Sequence, residues 1–125
     1  MCIIVCLKYN TKKKEFKKYL FNLIFVEAKN KEEAKNNKYI QIPNSAKSIG
    51  EHAFWNCKSL KYIIIPKSVT SIGEGVFWDC YNLTSITLPN SVSYIGEYAF
   101  YSCESLNSII TPNTVTSIGK GAFKW

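Results

Sequence analysis

The feature that most constrains this chain is a repeat of fixed length. Prolines, Ile-Gly pairs and phenylalanines each recur with a 23-residue period: Pro43, Pro66, Pro89 and Pro112; Ile49-Gly50, Ile72-Gly73, Ile95-Gly96 and Ile118-Gly119; Phe54, Phe77, Phe100 and Phe123. A period of this length is the signature of a solenoid, in which each unit buries its apolar side only against its neighbours. The sequence therefore predicts stacked coils and not a single closed core.

The repeat divides the chain into an N-terminal segment, residues 1–36, and four coils. The coils run over 37–59, 60–82, 83–105 and, incompletely, 106–125. They follow the pattern L-x-x-I-x-[IL]-P-x-S-V-x-x-I-G-x-x-A-F-x-x-C, which weakens at both ends. Asn37 and Ala46 replace the first Leu and the Val, and Thr111 precedes the fourth proline.

One coil can be interpreted residue by residue. Ile63 and Ile65 alternate as inward-facing residues of a strand do, and Pro66 ends that strand because it has no N–H to donate. A second short extended stretch places two more apolar side chains inside, and Gly73 then allows a tight change of direction. The spacing of Val76, Phe77 and Cys80 predicts a single helical turn with one buried edge.

The full pattern resembles the BspA-like class of leucine-rich repeats, over residues 37–123. That resemblance implies a right-handed solenoid with a parallel β-sheet on its concave face, short helical turns or loops elsewhere, and an N-terminal cap or helix. It also implies a non-catalytic protein-interaction module, of the kind found in surface and secreted proteins with roles in adhesion to host proteins and other cells. The alternatives are an intracellular scaffold or regulatory protein, and a fragment of a longer array.

The first candidate site is the outward face of the predicted strands. Tyrosine there offers both contact area and a polar tip, which suits recognition of a protein partner. An ordinary solvated face is the alternative. The residues are Tyr39, Gln41, Tyr62, Ile64, Ser85, Thr87, Ser108 and Ile110.

The second candidate is a ridge formed by Trp55, Trp78 and Tyr101, which follow the repeated phenylalanines. Exposed aromatic residues stacked in this way are typical of contacts with protein or carbohydrate. The favoured interpretation is that these rings lean over the phenylalanine column and complete the core.

The sequence contains no set of residues that indicates catalysis, a metal or a cofactor. Cys57, Cys80 and Cys103 share one position of the repeat, but stacked coils place them in a line and zinc requires four converging ligands. A buried cysteine column is the better interpretation. His52 and Asp79 are the only His and Asp, and no Ser-His-Asp set or phosphate loop is present.

The net charge of +7 belongs to the N-terminal part. Residues 8–38 carry ten lysines against four glutamates, whereas residues 39–125 carry six lysines against five acids. The chain has no arginine, and the coils have no basic stripe, so nucleic-acid binding is not expected.

Three interpretations of the N-terminal segment stay open. Phe16, Leu20, Leu23 and Ile24 fit one face of a helix that would cover the end of the solenoid. The segment also fits a degenerate coil. Finally, the basic residues 12–18 followed by the apolar residues 19–26 resemble a secretory signal.

The partner expected for this chain is another protein, with carbohydrate as the alternative and no transmembrane segment. The fourth coil stops shortly after Phe123, so we expect either further coils or self-association through an uncapped end. The repeat resembles that of surface or secreted proteins, yet the sequence carries no convincing signal or anchor, so a cytoplasmic location is the alternative.

Overall fold

The chain forms a solenoid of short parallel strands, as the repeat predicts. The computed structural model describes residues 39–42 and 44–124, so the predicted cap or arm over 1–36 lies outside the described residues. Each of the first three coils contributes two strands. In order they are β1 (Tyr39–Gln41), β2 (Ser48–Ile49), β3 (Tyr62–Ile64), β4 (Ser71–Ile72), β5 (Ser85–Thr87), β6 (Tyr94–Ile95) and β7 (Ser117–Ile118).

The strands assemble into two parallel sheets, each running along the stack. The first sheet has the order β1-β3-β5, and a bridge from Thr87 to Ile110 extends it into the fourth coil. The second sheet has the order β2-β4-β6-β7. Every strand pairs with the equivalent strand of the next coil, so Ile40 faces Ile63 and Ile63 faces Ile86. The sequence predicted the second extended stretch but not that it forms a sheet of its own.

Columns of apolar side chains fill the space inside the coils. Ile40, Ile63 and Ile86 are buried beneath the first sheet. On the opposite side the phenylalanine rings stack nearly parallel, with centroids 5.2 Å apart for Phe77 and Phe100. Burial of one such side chain is worth about 1.5–3 kcal/mol, so the columns provide the main cohesion between coils.

The third side of each coil, which we call the turn side, is a run of turns, and no helix forms in residues 39–42 or 44–124. In the second coil Gly75 and Asp79 have φ of 56° and 60°, values that interrupt a right-handed helix. Alternate N–H groups then donate to the following coil, for example from Phe77 to the carbonyl of Ala99 at 2.8 Å. The predicted helical turn is therefore absent, although Val76, Phe77 and Cys80 are fully buried.

The repeated Ile-Gly pairs serve the close packing of coils and not the change of direction expected from the sequence. Gly96 donates its N–H to the carbonyl of Ile72 at 2.8 Å. A Cβ on Gly96 would lie 2.5 Å from the carbonyl carbon of Gly73. Successive coils can approach this closely only where the side chain is missing.

No helix long and apolar enough to cross a bilayer occurs in the described part of the chain.

Candidate functional site

The strand face consists of the outward positions of the first sheet and of its continuation into the fourth coil. All of its residues are exposed: Tyr39, Gln41, Tyr62, Ile64, Ser85, Thr87, Ser108 and Ile110. The face includes large apolar groups, with Tyr62 49% and Ile64 45% exposed. Their exposure follows from strand geometry, since the residue between them, Ile63, points into the core.

The strand face presents two rows of side chains in register. One row passes from Tyr39 through Tyr62 to Ser85, and the other passes from Gln41 through Ile64 to Thr87. Both rows therefore change from large to small side chains between the second coil and the third. This change follows directly from the sequence, because the register between coils is constant.

A depression of about 500 Å³ lies at this change of size. Tyr62, Ile64, Ser85 and Thr87 line it, together with Lys67 and Pro89, and its surface is mainly apolar. A partly open, mainly apolar depression of this kind fits a side chain of a protein partner better than an enclosed small molecule.

The predicted aromatic ridge forms a packed cluster on the turn side. Trp55, Trp78 and Tyr101 are all half-buried. The rings of Trp78 and Tyr101 lie 5.2 Å apart and are inclined at 59°. Rings tilted relative to one another in this way do not form one flat platform.

Two further rings in the cluster were missed by the sequence analysis. His52 lies 6.0 Å from Trp78, and Tyr98 lies 5.6 Å from the same ring. Both residues have positive φ, 54° and 52°. The equivalent position of the next coil is glycine in each case, Gly75 and Gly121.

Each of these two rings covers the glycine of the following coil. A Cβ on Gly75 would lie 2.6 Å from the imidazole of His52, and a Cβ on Gly121 would lie 2.7 Å from the ring of Tyr98. The alternation His-Gly-Tyr-Gly at this position of the repeat is visible in the sequence, and it is the signal that could have revealed the pairing. The turn side thus repeats every two coils.

The cysteine column is buried, as predicted. The thiols of Cys80 and Cys103 donate to the carbonyls of Phe54 and Phe77, at 3.0 and 3.1 Å. Burial raises the pKa of Cys103 to about 12. A thiol held in its protonated form is a poor nucleophile and a poor metal ligand. Cys57 is equally buried, and its sulfur belongs to a disulfide.

Acidic and metal-binding side chains do not converge in the described residues. No group of three or more His, Cys, Asp and Glu side chains there is placed to hold a metal ion. Nδ1 of His52 lies 3.4 Å from a carboxylate oxygen of Glu51, its neighbour in sequence.

Comparison with known proteins places the repeat in an established family. Residues 29–125 match the profile of the family described as "BspA type Leucine rich repeat region (6 copies)". No curated protein sequence matches the chain.

Solved structures show the same fold. A leucine-rich repeat protein from Bacteroides ovatus is 42% identical, with a TM-score of 0.61 over 69% of this chain. A leucine-rich repeat protein from T. pallidum is 25% identical, with a TM-score of 0.57 over 71% of this chain. A leucine-rich cell surface protein from Faecalibacterium prausnitzii is 28% identical, with a TM-score of 0.50 over 69% of this chain. The match spans only 22%, 55% and 36% of these three proteins.

Proposed function

Because this chain belongs to the BspA-type leucine-rich repeat family, we propose that it is a protein-binding module whose strand face contacts the partner. Leucine-rich repeats are in general non-catalytic interaction modules, and the regular stacking of coils gives them an extended surface.

The depression beside Tyr62 and Ile64 is the observation that carries the proposal. Two large side chains, each nearly half exposed, line a mainly apolar depression beside the smaller Ser85 and Thr87. A partner side chain that fills this depression would remove apolar area of both molecules from water, at about 25 cal/mol per Å². Central, desolvated contacts of this type provide most of the binding energy in protein interfaces.

Adhesion at a cell surface is the biological role we propose for this binding. Support comes from the similarity to the Faecalibacterium prausnitzii cell surface protein, at 28% identity. Treatment of intact cells with protease tests the location. A tagged chain that is cleaved under these conditions supports the role, whereas a chain that stays intact until the cells are lysed contradicts it.

The choice of surface is tested by a pair of matched variants. Tyr62→Ser with Ile64→Ser removes two large side chains that line the depression. Trp55→Ser with Trp78→Ser removes the same number of large side chains from the aromatic cluster. The wild type and both variants are each used to capture partner proteins by cross-linking. The partners are offered either in cell extracts or as proteins exposed on the surface of intact cells. Circular dichroism shows whether each variant keeps its fold.

The strand face is supported if the Tyr62 and Ile64 variant loses at least about tenfold in partner capture at unchanged fold, as expected for removal of a central contact. If the tryptophan variant loses capture and the strand-face variant does not, the partner binds the aromatic cluster instead. Arrays of glycans offered to both variants then distinguish a carbohydrate from a protein. Self-association through the fourth coil stays a prediction.

A further inference from the structure

We infer that the partner of the strand face is an acidic protein segment, one that inserts a bulky apolar side chain into the depression and carries carboxylates beside it. The inference rests on the proposed function and adds the chemistry of the ligand. It is carried by the distribution of charge around the solenoid together with the shape of the depression.

Acidic and basic residues are distributed unequally between the strand segments and the turn segments of the coils. The segments that contain the strands of both sheets are 39–49, 60–72, 83–95 and 106–118, and they hold three lysines and no Asp or Glu. The turn segments between and after them hold all five acidic residues of the coils: Glu51, Glu74, Asp79, Glu97 and Glu104. The strand segments therefore carry a charge of +3, while the turn segments, with three lysines, carry −2.

Two of the three lysines are close in sequence to β3, whose residues line the depression. Lys61 directly precedes β3, and Lys67 follows it and lines the depression. Both side chains are exposed. Because the strand segments contain no Asp or Glu, a carboxylate that approaches either ammonium group meets no like charge from these segments.

The shape of the depression defines the apolar part of the ligand. Where Tyr62 is followed in register by Ser85, and Ile64 by Thr87, the space of a large side chain is left open between coils. A bulky aliphatic or aromatic group of the partner could occupy this space and continue the row of large side chains that ends at Tyr62 and Ile64. An apolar anchor surrounded by charges of opposite sign is the usual arrangement by which such interfaces gain both affinity and fast association.

The N-terminal segment of this chain does not have the charge expected of the occupant. Residues 1–38 hold ten lysines and four glutamates, a net charge of +6. Repulsion from Lys61 and Lys67 would disfavour its binding, so we assign the strand face to a separate acidic protein.

Three labelled peptides test the inference against the full chain. All have the same Leu-Phe centre, flanked on each side by two glutamates, two glutamines or two lysines. Fluorescence anisotropy gives their affinities at about 50 and about 500 mM salt, concentrations that change the Debye length by about threefold. We expect the glutamate peptide to bind at least tenfold more tightly than the glutamine peptide at low salt, and the lysine peptide to bind least.

Two double variants of equal charge locate the effect. Lys61→Gln with Lys67→Gln should reduce the preference for glutamate to less than about threefold, since it removes the two ammonium groups before and after β3. Lys120→Gln with Lys124→Gln, on the turn side, should leave the preference unchanged. High salt should act on the wild type as the first variant does.

Several results would overturn the inference. They are equal binding of the three peptides, absence of binding by the glutamate peptide, and a preference that survives in the Lys61 and Lys67 variant. Self-association of the wild type that this variant abolishes would also overturn it, since the occupant would be a second copy. The Tyr62→Ser variant tests the proposed function separately. If this variant loses the peptide or partner binding that is still observed, the strand face remains the binding site even though the partner is not acidic.

Discussion

The pairing of rings with glycines on the turn side leads to a quantitative prediction for Gly75→Ala. The new Cβ would lie 2.6 Å from Cδ2 and Nε2 of His52, well inside van der Waals contact. The imidazole must therefore move away from Trp78 and Trp55, which it contacts at centroid distances of 6.0 and 6.4 Å. Aromatic pairs contribute about 0.5–1.5 kcal/mol each, so their partial loss reduces stability by about 1–2 kcal/mol.

Backbone strain adds a second, separable contribution. Gly75 has φ of 56°, and a left-handed alanine costs about 1–2 kcal/mol, of which about 0.4–1 kcal/mol is offset by the stiffer unfolded chain. We therefore expect Gly75→Ala to lower the free energy of unfolding by about 1–3.5 kcal/mol in the wild type. In a His52→Ala background the ring is already gone, and only about 1 kcal/mol of strain should be left.

Urea denaturation of the wild type, both single variants and the double variant measures this difference. The reasoning is refuted if Gly75→Ala costs the same in both backgrounds to within about 0.5 kcal/mol, the range expected for independent sites. The same measurement can be made independently with Tyr98→Ala and Gly121→Ala, because Gly121 has φ of 65° and faces the ring of Tyr98 in the same way.

Two further predictions concern the core columns. Phe77→Ala should lower the free energy of unfolding by about 3–5 kcal/mol, since the ring is fully buried between those of Phe54 and Phe100. Phe123 is half-buried, so Phe123→Ala should lower the free energy of unfolding clearly less in the same denaturation assay. Equal losses in the two variants would contradict the importance of burial in the phenylalanine column. The raised pKa of Cys103, about 12 against 9.0 when exposed, stabilises the fold fully below pH 9, and this contribution is lost as the pH rises from 9 to about 12. Cys103→Ala should therefore flatten the alkaline fall in stability by up to about 1.4 kcal/mol per pH unit, and an unchanged pH profile would argue against the shift.

The columns of the fold were accessible from the sequence because the coils are in strict register. Once Ile63 is assigned an inward position, the constant period assigns Ile40 and Ile86 as well, and all three are buried. The same logic identified the exposed positions of the strand face. Prediction worked where one local pattern, apolar alternation ended by proline, determines both structure and packing.

The turn side was predicted less well because its backbone depends on contacts between coils. Val76, Phe77 and Cys80 have a spacing that is typical of one helical turn. The left-handed conformation of Asp79 is instead stabilised by its N–H donating to the carbonyl of Tyr101 in the next coil. No local propensity encodes such a bond.

The alternation of rings and glycines also limits how a gene for this solenoid can change its length. Loss of one repeat unit between His52 and Tyr98 would bring the imidazole onto a tyrosine ring where a glycine now lies, and gain of one unit would likewise disturb the alternation. Loss or gain of two units together would preserve it. The coil is the unit of structure, but two coils are the smallest unit whose gain or loss always keeps the alternation of rings and glycines.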